Sequence, residues 1–113
     1  MKFAMFILHG DESVTPADEA AAPGLDDWVT SAGAAYVQGV RLLDPPEART
    51  VAQRGGELLV TDGPFAEARE WIAGFAILEC ASMDEAVEIA GRNPAAHYGR
   101  VEVRPLHSST LDD

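Results

Sequence analysis

Trp71-Ile72-Ala73-Gly74-Phe75-Ala76-Ile77-Leu78-Glu79-Cys80 is the run of residues that decides how this chain folds. It holds a single charge, is rich in aromatic and branched side chains, and reads as a strand. Side chains alternate between the two faces of a strand, so a run this apolar is greasy on both. Phe3 to Leu8 has the same character and stops at His9-Gly10-Asp11-Glu12. Two such strands need cover above and below.

Working outward, Thr15-Pro16-Ala17-Asp18 combines an N-cap threonine, proline at the first helical position and an acid three residues after the cap, which starts a helix. Pro23-Gly24 interrupts it. Leu25, Trp28, Val29 and Ala32 then recur at helical spacing, and Gly33 ends the stretch. Ala35 to Leu43 reads as a strand and Asp44-Pro45-Pro46-Glu47 as a turn. Arg49 to Gln53 and Glu57 to Thr61 form a hairpin around Arg54-Gly55-Gly56. After the central run, Ser82-Met83-Asp84-Glu85 is a capping box that opens a helix with Met83, Ala86, Val87 and Ala90 on one side. Asn93-Pro94 closes that helix. Arg100 to Leu106 is the last strand, with Val101 and Val103 alternating with Glu102 and Arg104.

The order is strand, helix, strand, small hairpin, strand, helix, strand. It predicts an α+β fold of the ferredoxin-like, split β-α-β kind: an antiparallel sheet with two helices on one face. Two helices cover one face only, and the loop from Asp44 to Thr50 is too short to fold over the other. A second copy of the chain packed sheet to sheet is therefore expected, making a homodimer.

With 113 residues, 47% of them apolar, the chain is expected to be a single domain, 1–113, with a real core. Eight basic against nineteen acidic residues leave a net charge of −11, which repels phosphate backbones and anionic membranes, so neither nucleic acid nor a membrane surface is an expected partner. The longest uncharged stretch, Trp28 to Val40, is well short of the roughly 20 residues that span a bilayer. Phe3 to Leu8 is too short for a signal peptide and lacks a small-residue cleavage site, and Cys80 is the single cysteine. A cytoplasmic location is expected.

One segment is distinctive: Val60-Thr61-Asp62-Gly63-Pro64-Phe65-Ala66-Glu67, followed by Gly74-Phe75 and, later, Glu102-Val103-Arg104-Pro105. With the acidic turn at Gly10-Asp11-Glu12 and the Asp84-Glu85-Ala86 helix, the chain resembles the DGPF-domain group of the YCII-related family over nearly its whole length. The resemblance implies a dimeric α+β barrel, in agreement with the two-faced strands. It also implies a pocket between helix and sheet, where the wider family holds a His-Asp pair proposed for acid-base chemistry, the histidine on the first helix. Leu25 to Ala32 contains no histidine, so that pair is not carried over.

Other residues offer substitutes. His9, at the end of the first strand, is placed to act as general acid or base, with Asp11 or Asp62 orienting it; a surface or structural histidine is the other reading. Asp62-Gly63-Pro64 is turn chemistry, or else a loop that sets Asp62 at a pocket mouth with Phe65 as an apolar wall. His97, beside Tyr98-Gly99, has the same two readings as His9. Arg104 shares a strand face with Glu102 and is either paired with it or a ligand for an anion. The three histidines have no metal-ligand spacing, and no glycine-rich phosphate loop is present, so neither a metal nor another cofactor is implied. The expected function is a small homodimer binding a compact organic molecule in a helix–sheet pocket, with cofactor-free acid-base chemistry through His9 and Asp62. The alternative is a non-catalytic ligand-binding or protein-interaction module.

Overall fold

The two apolar runs pair with each other. In a computed structural model of the chain, which describes residues 1–10, 14–64 and 70–107, strand β1 (Lys2–Gly10) lies antiparallel to β5 (Glu70–Glu79), with Phe3 opposite Leu78 and Phe6 opposite Phe75. Strand β6 (Arg100–Pro105) pairs with the other side of β1, and β2 (Tyr36–Arg41) with the other side of β5. The sheet order is β2-β5-β1-β6, the ferredoxin-like order once the separate hairpin of β3 (Arg49–Arg54) and β4 (Glu57–Asp62) is set aside. The α+β class and the antiparallel sheet match the reading from the sequence.

Phe3, Met5, Ala76 and Leu78 point to the helical side and are buried with Trp28, Ala86, Ile89 and Ala90. At Gly74 β5 runs close against β2: a Cβ there would lie 2.6 Å from the Val40 carbonyl oxygen, so no larger residue fits without moving backbone. The opposite face carries Ala4, Phe6, Leu8, Phe75 and Ile77, with Ile72 facing Leu8 across a bulge, and no helix or strand of the described residues covers it.

Helix α1 (Pro16–Ala21) opens as its sequence demands. The Thr15 hydroxyl accepts from the Asp18 N–H at 3.1 Å, and the Asp18 carboxylate accepts from the Thr15 N–H at 3.3 Å. Helix α2 (Leu25–Ala32) buries Trp28 and Ala32 and ends at Gly33. The Trp28 indole N–H donates to the Ile89 carbonyl at 2.8 Å, tying α2 to α3 (Met83–Gly91) inside the core. No helix among the described residues is long and apolar enough to cross a membrane.

Three details differ from the sequence reading. In α3 the buried stripe is Ala86, Ile89 and Ala90, whereas Met83 and Val87 stay 37% and 53% exposed. Both stripes share Ala86 and Ala90; the docking of Trp28 against Ile89 selects between them. The Glu85 carboxylate accepts from the Ala81 N–H at 3.0 Å rather than from Ser82, which leaves the Ser82 hydroxyl to complete the cap by accepting from the Glu85 N–H at 3.2 Å. Past Asn93-Pro94 the chain makes a further short helix, α4 (Ala95–Tyr98), before β6. The Asn93 side-chain oxygen accepts from the Ala95 N–H at 2.8 Å to start it, while the amide nitrogen of this buried side chain has no partner among the described residues.

Replacing Trp28 by Ala is expected to cost about 3–5 kcal/mol, because it opens a cavity at the junction of α2, α3 and the sheet. Trp28→Phe should lose distinctly less, since the Ile89 carbonyl still accepts from the Arg92 N–H. Urea denaturation of the two variants checks the order.

Candidate functional site

Where the start of β5 and the segment after β2 meet the base of the hairpin, the described residues enclose a cavity. It measures about 750 Å³. Leu42, Leu43, Pro45, Pro64, Trp71 and Ile72 supply its apolar walls, and the carboxylates of Asp44, Glu47 and Glu70 its polar lining. Each wall has a local cause. The Leu42 N–H donates to the Ala73 carbonyl at 2.9 Å, which prolongs the β2–β5 pairing far enough to hold Leu42 in place. Pro45-Pro46-Glu47 makes one tight turn, closed by the Ala48 N–H donating to the Pro45 carbonyl at 2.9 Å.

At the hairpin base the Gly63 N–H donates to the Ala48 carbonyl at 2.7 Å, and the Thr50 hydroxyl donates to the Gly63 carbonyl at 2.9 Å. Gly63 has φ of 88°, a conformation that side chains resist, and this turn sets Pro64 into the cavity wall. The Asp62 carboxylate meets the Arg49 guanidinium across the hairpin at 3.0 Å, with 87% of the aspartate side chain exposed.

His9 is half-buried, and its ring stands edge-on to Trp71 with centroids 6.4 Å apart, so it neighbours a wall residue of the cavity without lining the cavity itself. No hydrogen bond or ion pair joins His9 to a carboxylate among the described residues. His97 sits elsewhere: on α4 it lines a smaller cavity of about 380 Å³ with Trp28, Asp27, Ser31 and Arg92. Arg104 lies on the face of the sheet away from the helices, opposite Ala4, and is paired with Glu102 at 2.8 Å. Asp11 and Phe65 lie outside the described residues. None of these cavities brings two of the expected site residues together. A helix–sheet pocket of about 500 Å³ does exist, between α3 and β6, but Met83, Val87, Val101 and Val103 line it, and none of the candidate residues does. Trp71 and Glu70 were the site residues least legible beforehand, because both look like ordinary members of a strand. The Pro45-Pro46 turn is the one sequence signal that foretells a rigid wall.

Among the described residues no group of His, Cys, Asp and Glu is placed to hold a metal ion. Cys80 is buried, and burial, reinforced by Glu85 and Glu79 and opposed by the N-terminal amine, pushes its thiol above the ordinary value of 9.0.

The chain is an antiparallel α+β sheet with helices on one face and a cavity beside the Gly63–Pro64 turn. The family profile of the YCII-related domain matches residues 1–109, and the chain belongs to that family. A protein of Rhizobium meliloti (strain 1021), described as uncharacterised, is 36% identical over 115 residues, spanning 88% of this chain and 88% of its own.

Because the thiol is raised in the folded state, the native protein keeps the proton longer than the unfolded chain does. Stability should therefore be full below pH 9.0 and fall as pH rises beyond it, and Cys80→Ala should remove that part of the fall. Thermal denaturation at stepped alkaline pH, wild type beside variant, checks the sign. Ellman's reagent at neutral pH should react with Cys80 at least about tenfold faster after unfolding.

Proposed function

We propose that two copies of this chain pack sheet to sheet, and that each holds a compact organic molecule in the cavity at the base of the β3–β4 hairpin. The cavity carries this reading. Its volume of about 750 Å³ lies within the usual span of about 300–1,000 Å³ for small-molecule sites, and apolar walls with a few carboxylates are the usual lining. The uncovered apolar face of the sheet supports the pairing, since exposed faces of this size mark association surfaces. A lone buried thiol suits the reducing cytoplasm, where we place the protein.

A second reading adds chemistry to binding. His9 touches Trp71, a wall of the cavity, and is the residue we assign to proton transfer there. Asp62 would then act through the turn it anchors, because its carboxylate is taken by Arg49. Asp11 and Phe65 are assigned to ligand contacts on sequence grounds alone; His97 and Arg104, proposed as ligand contacts on the same grounds, would meet a ligand only at their own places on α4 and β6, away from this cavity.

Light scattering at micromolar concentration should give twice the 12.0 kDa of one chain; a stable particle of 12.0 kDa overturns the pairing. Nile red, a neutral apolar probe, should bind once per chain, and Trp71→Ala should weaken it at least about tenfold with the fold intact. Unchanged probe binding in that variant overturns the cavity. Under the second reading, His9→Gln keeps probe binding and loses turnover.

A further inference from the structure

The β3–β4 hairpin is built as if part of it were missing. Its ladder runs through six pairs from Arg49↔Asp62 to Arg54↔Glu57. Val51, Val60 and Leu58 share one face and Leu59 joins Ala52 on the other, and they remain 61%, 57%, 58% and 45% exposed. Every residue of β4 is exposed, and among the described residues the only extensive packing in the hairpin is strand against strand. A two-stranded ribbon on its own is marginal in water, and one that is apolar on both sides invites association.

No other element among the described residues packs extensively on it. The molecule measures 47 × 40 × 20 Å. One sheet with one layer of helices about 10 Å away already accounts for the short dimension. The hairpin therefore extends beside the sheet and adds no third layer over the uncovered face. The radius of gyration, 16.2 Å, exceeds the roughly 13 Å of a compact domain this long.

Taking the sheet-to-sheet pairing proposed above as its basis, we infer that the hairpin is an arm that closes on a second copy of this chain. Size is the first argument. The four-stranded sheet offers a footprint about 19 Å wide and 20 Å long, roughly 400 Å², which is about half of what a stable interface buries on each partner. An arm with six-residue strands reaches about 20 Å and presents about 200 Å² on each face. The arm that each copy gives adds about 200 Å² to its own buried area, which brings it to roughly 600 Å² and the pair to about 1,200 Å², the lower end of the stable range. A two-fold axis makes both exchanges at once, so the two uncovered surfaces of one chain satisfy those of its twin.

Charge is the second argument. The chain carries −11, yet the hairpin holds Arg49 and Arg54 against Glu57 and Asp62 and is neutral. The uncovered face of β6 holds Arg100 and Arg104 against Glu102. The acid excess is carried elsewhere, and these are the surfaces on which two copies meet without like-charge repulsion.

Sedimentation of wild type and Val60→Asp tests the arm. Val60 is exposed within one chain, so the variant should fold normally yet dissociate at least about 100-fold more readily. A second measurement is direct: Val60→Cys in a Cys80→Ala background, spin-labelled and mixed with isotope-labelled chains, should broaden amide signals of the uncovered sheet face in the other copy. A wild-type monomer at micromolar concentration overturns the pairing and the arm together. A wild-type dimer with unchanged affinity in Val60→Asp, or broadening confined to the labelled chain itself, overturns the arm and leaves the sheet-to-sheet pairing standing.

Discussion

Everything in this structure depends on the antiparallel register of β1 against β5. That register puts Phe3, Met5, Ala76 and Leu78 on one side and Ala4, Phe6, Phe75 and Ile77 on the other. A slip by one residue would exchange the two sets, and because both are apolar the penalty would be smaller than usual. The helices break the tie. Trp28 reaches from α2 to the Ile89 carbonyl of α3, and the small residues Ala76, Ala86 and Ala90 let the two layers approach. The core is consequently one-sided, and no helix or strand among the described residues covers the far, apolar side of the sheet.

The same one-sidedness explains where a cavity can form. Between β2 and β5 the chain leaves the sheet, makes the Pro45–Glu47 turn, runs out and back through the hairpin, and returns past Gly63 and Pro64. Two prolines in the turn and the six-pair ladder of the hairpin fix the path of this excursion, and a space is left between its base and the sheet. The gap left over is walled by Trp71, Ile72 and Leu42. The Asp62–Arg49 pair and the hydrogen bonds of Gly63 and Thr50 are therefore parts of a scaffold, and the side chains that face the space come from β5 and the segment after β2.

Membership of the YCII-related family and the likeness to the Rhizobium meliloti protein say what kind of domain this is. They do not convey a reaction with them, because an antiparallel α+β sheet supports many functions and the chemistry belongs to individual sites. His9 abuts the cavity through Trp71, while His97 belongs to another cavity and Arg104 to another face. Residues that look alike as candidates along the chain thus differ in standing once folded.

What was legible beforehand rests on local physics. Thr15 and Ser82 cap because a hydroxyl beside free backbone N–H groups does so in any context, Gly33 and Pro94 end helices for reasons internal to their own backbones, and period-two apolar runs become strands. The hairpin around Gly55-Gly56 and the order of elements follow from the same short-range rules. Which stripe of α3 is buried, whether His9 meets a carboxylate, and that Trp71 walls a cavity belong to the folded chain alone. Each depends on residues dozens of positions apart meeting through packing, and no periodicity or spacing along the chain encodes such a distance.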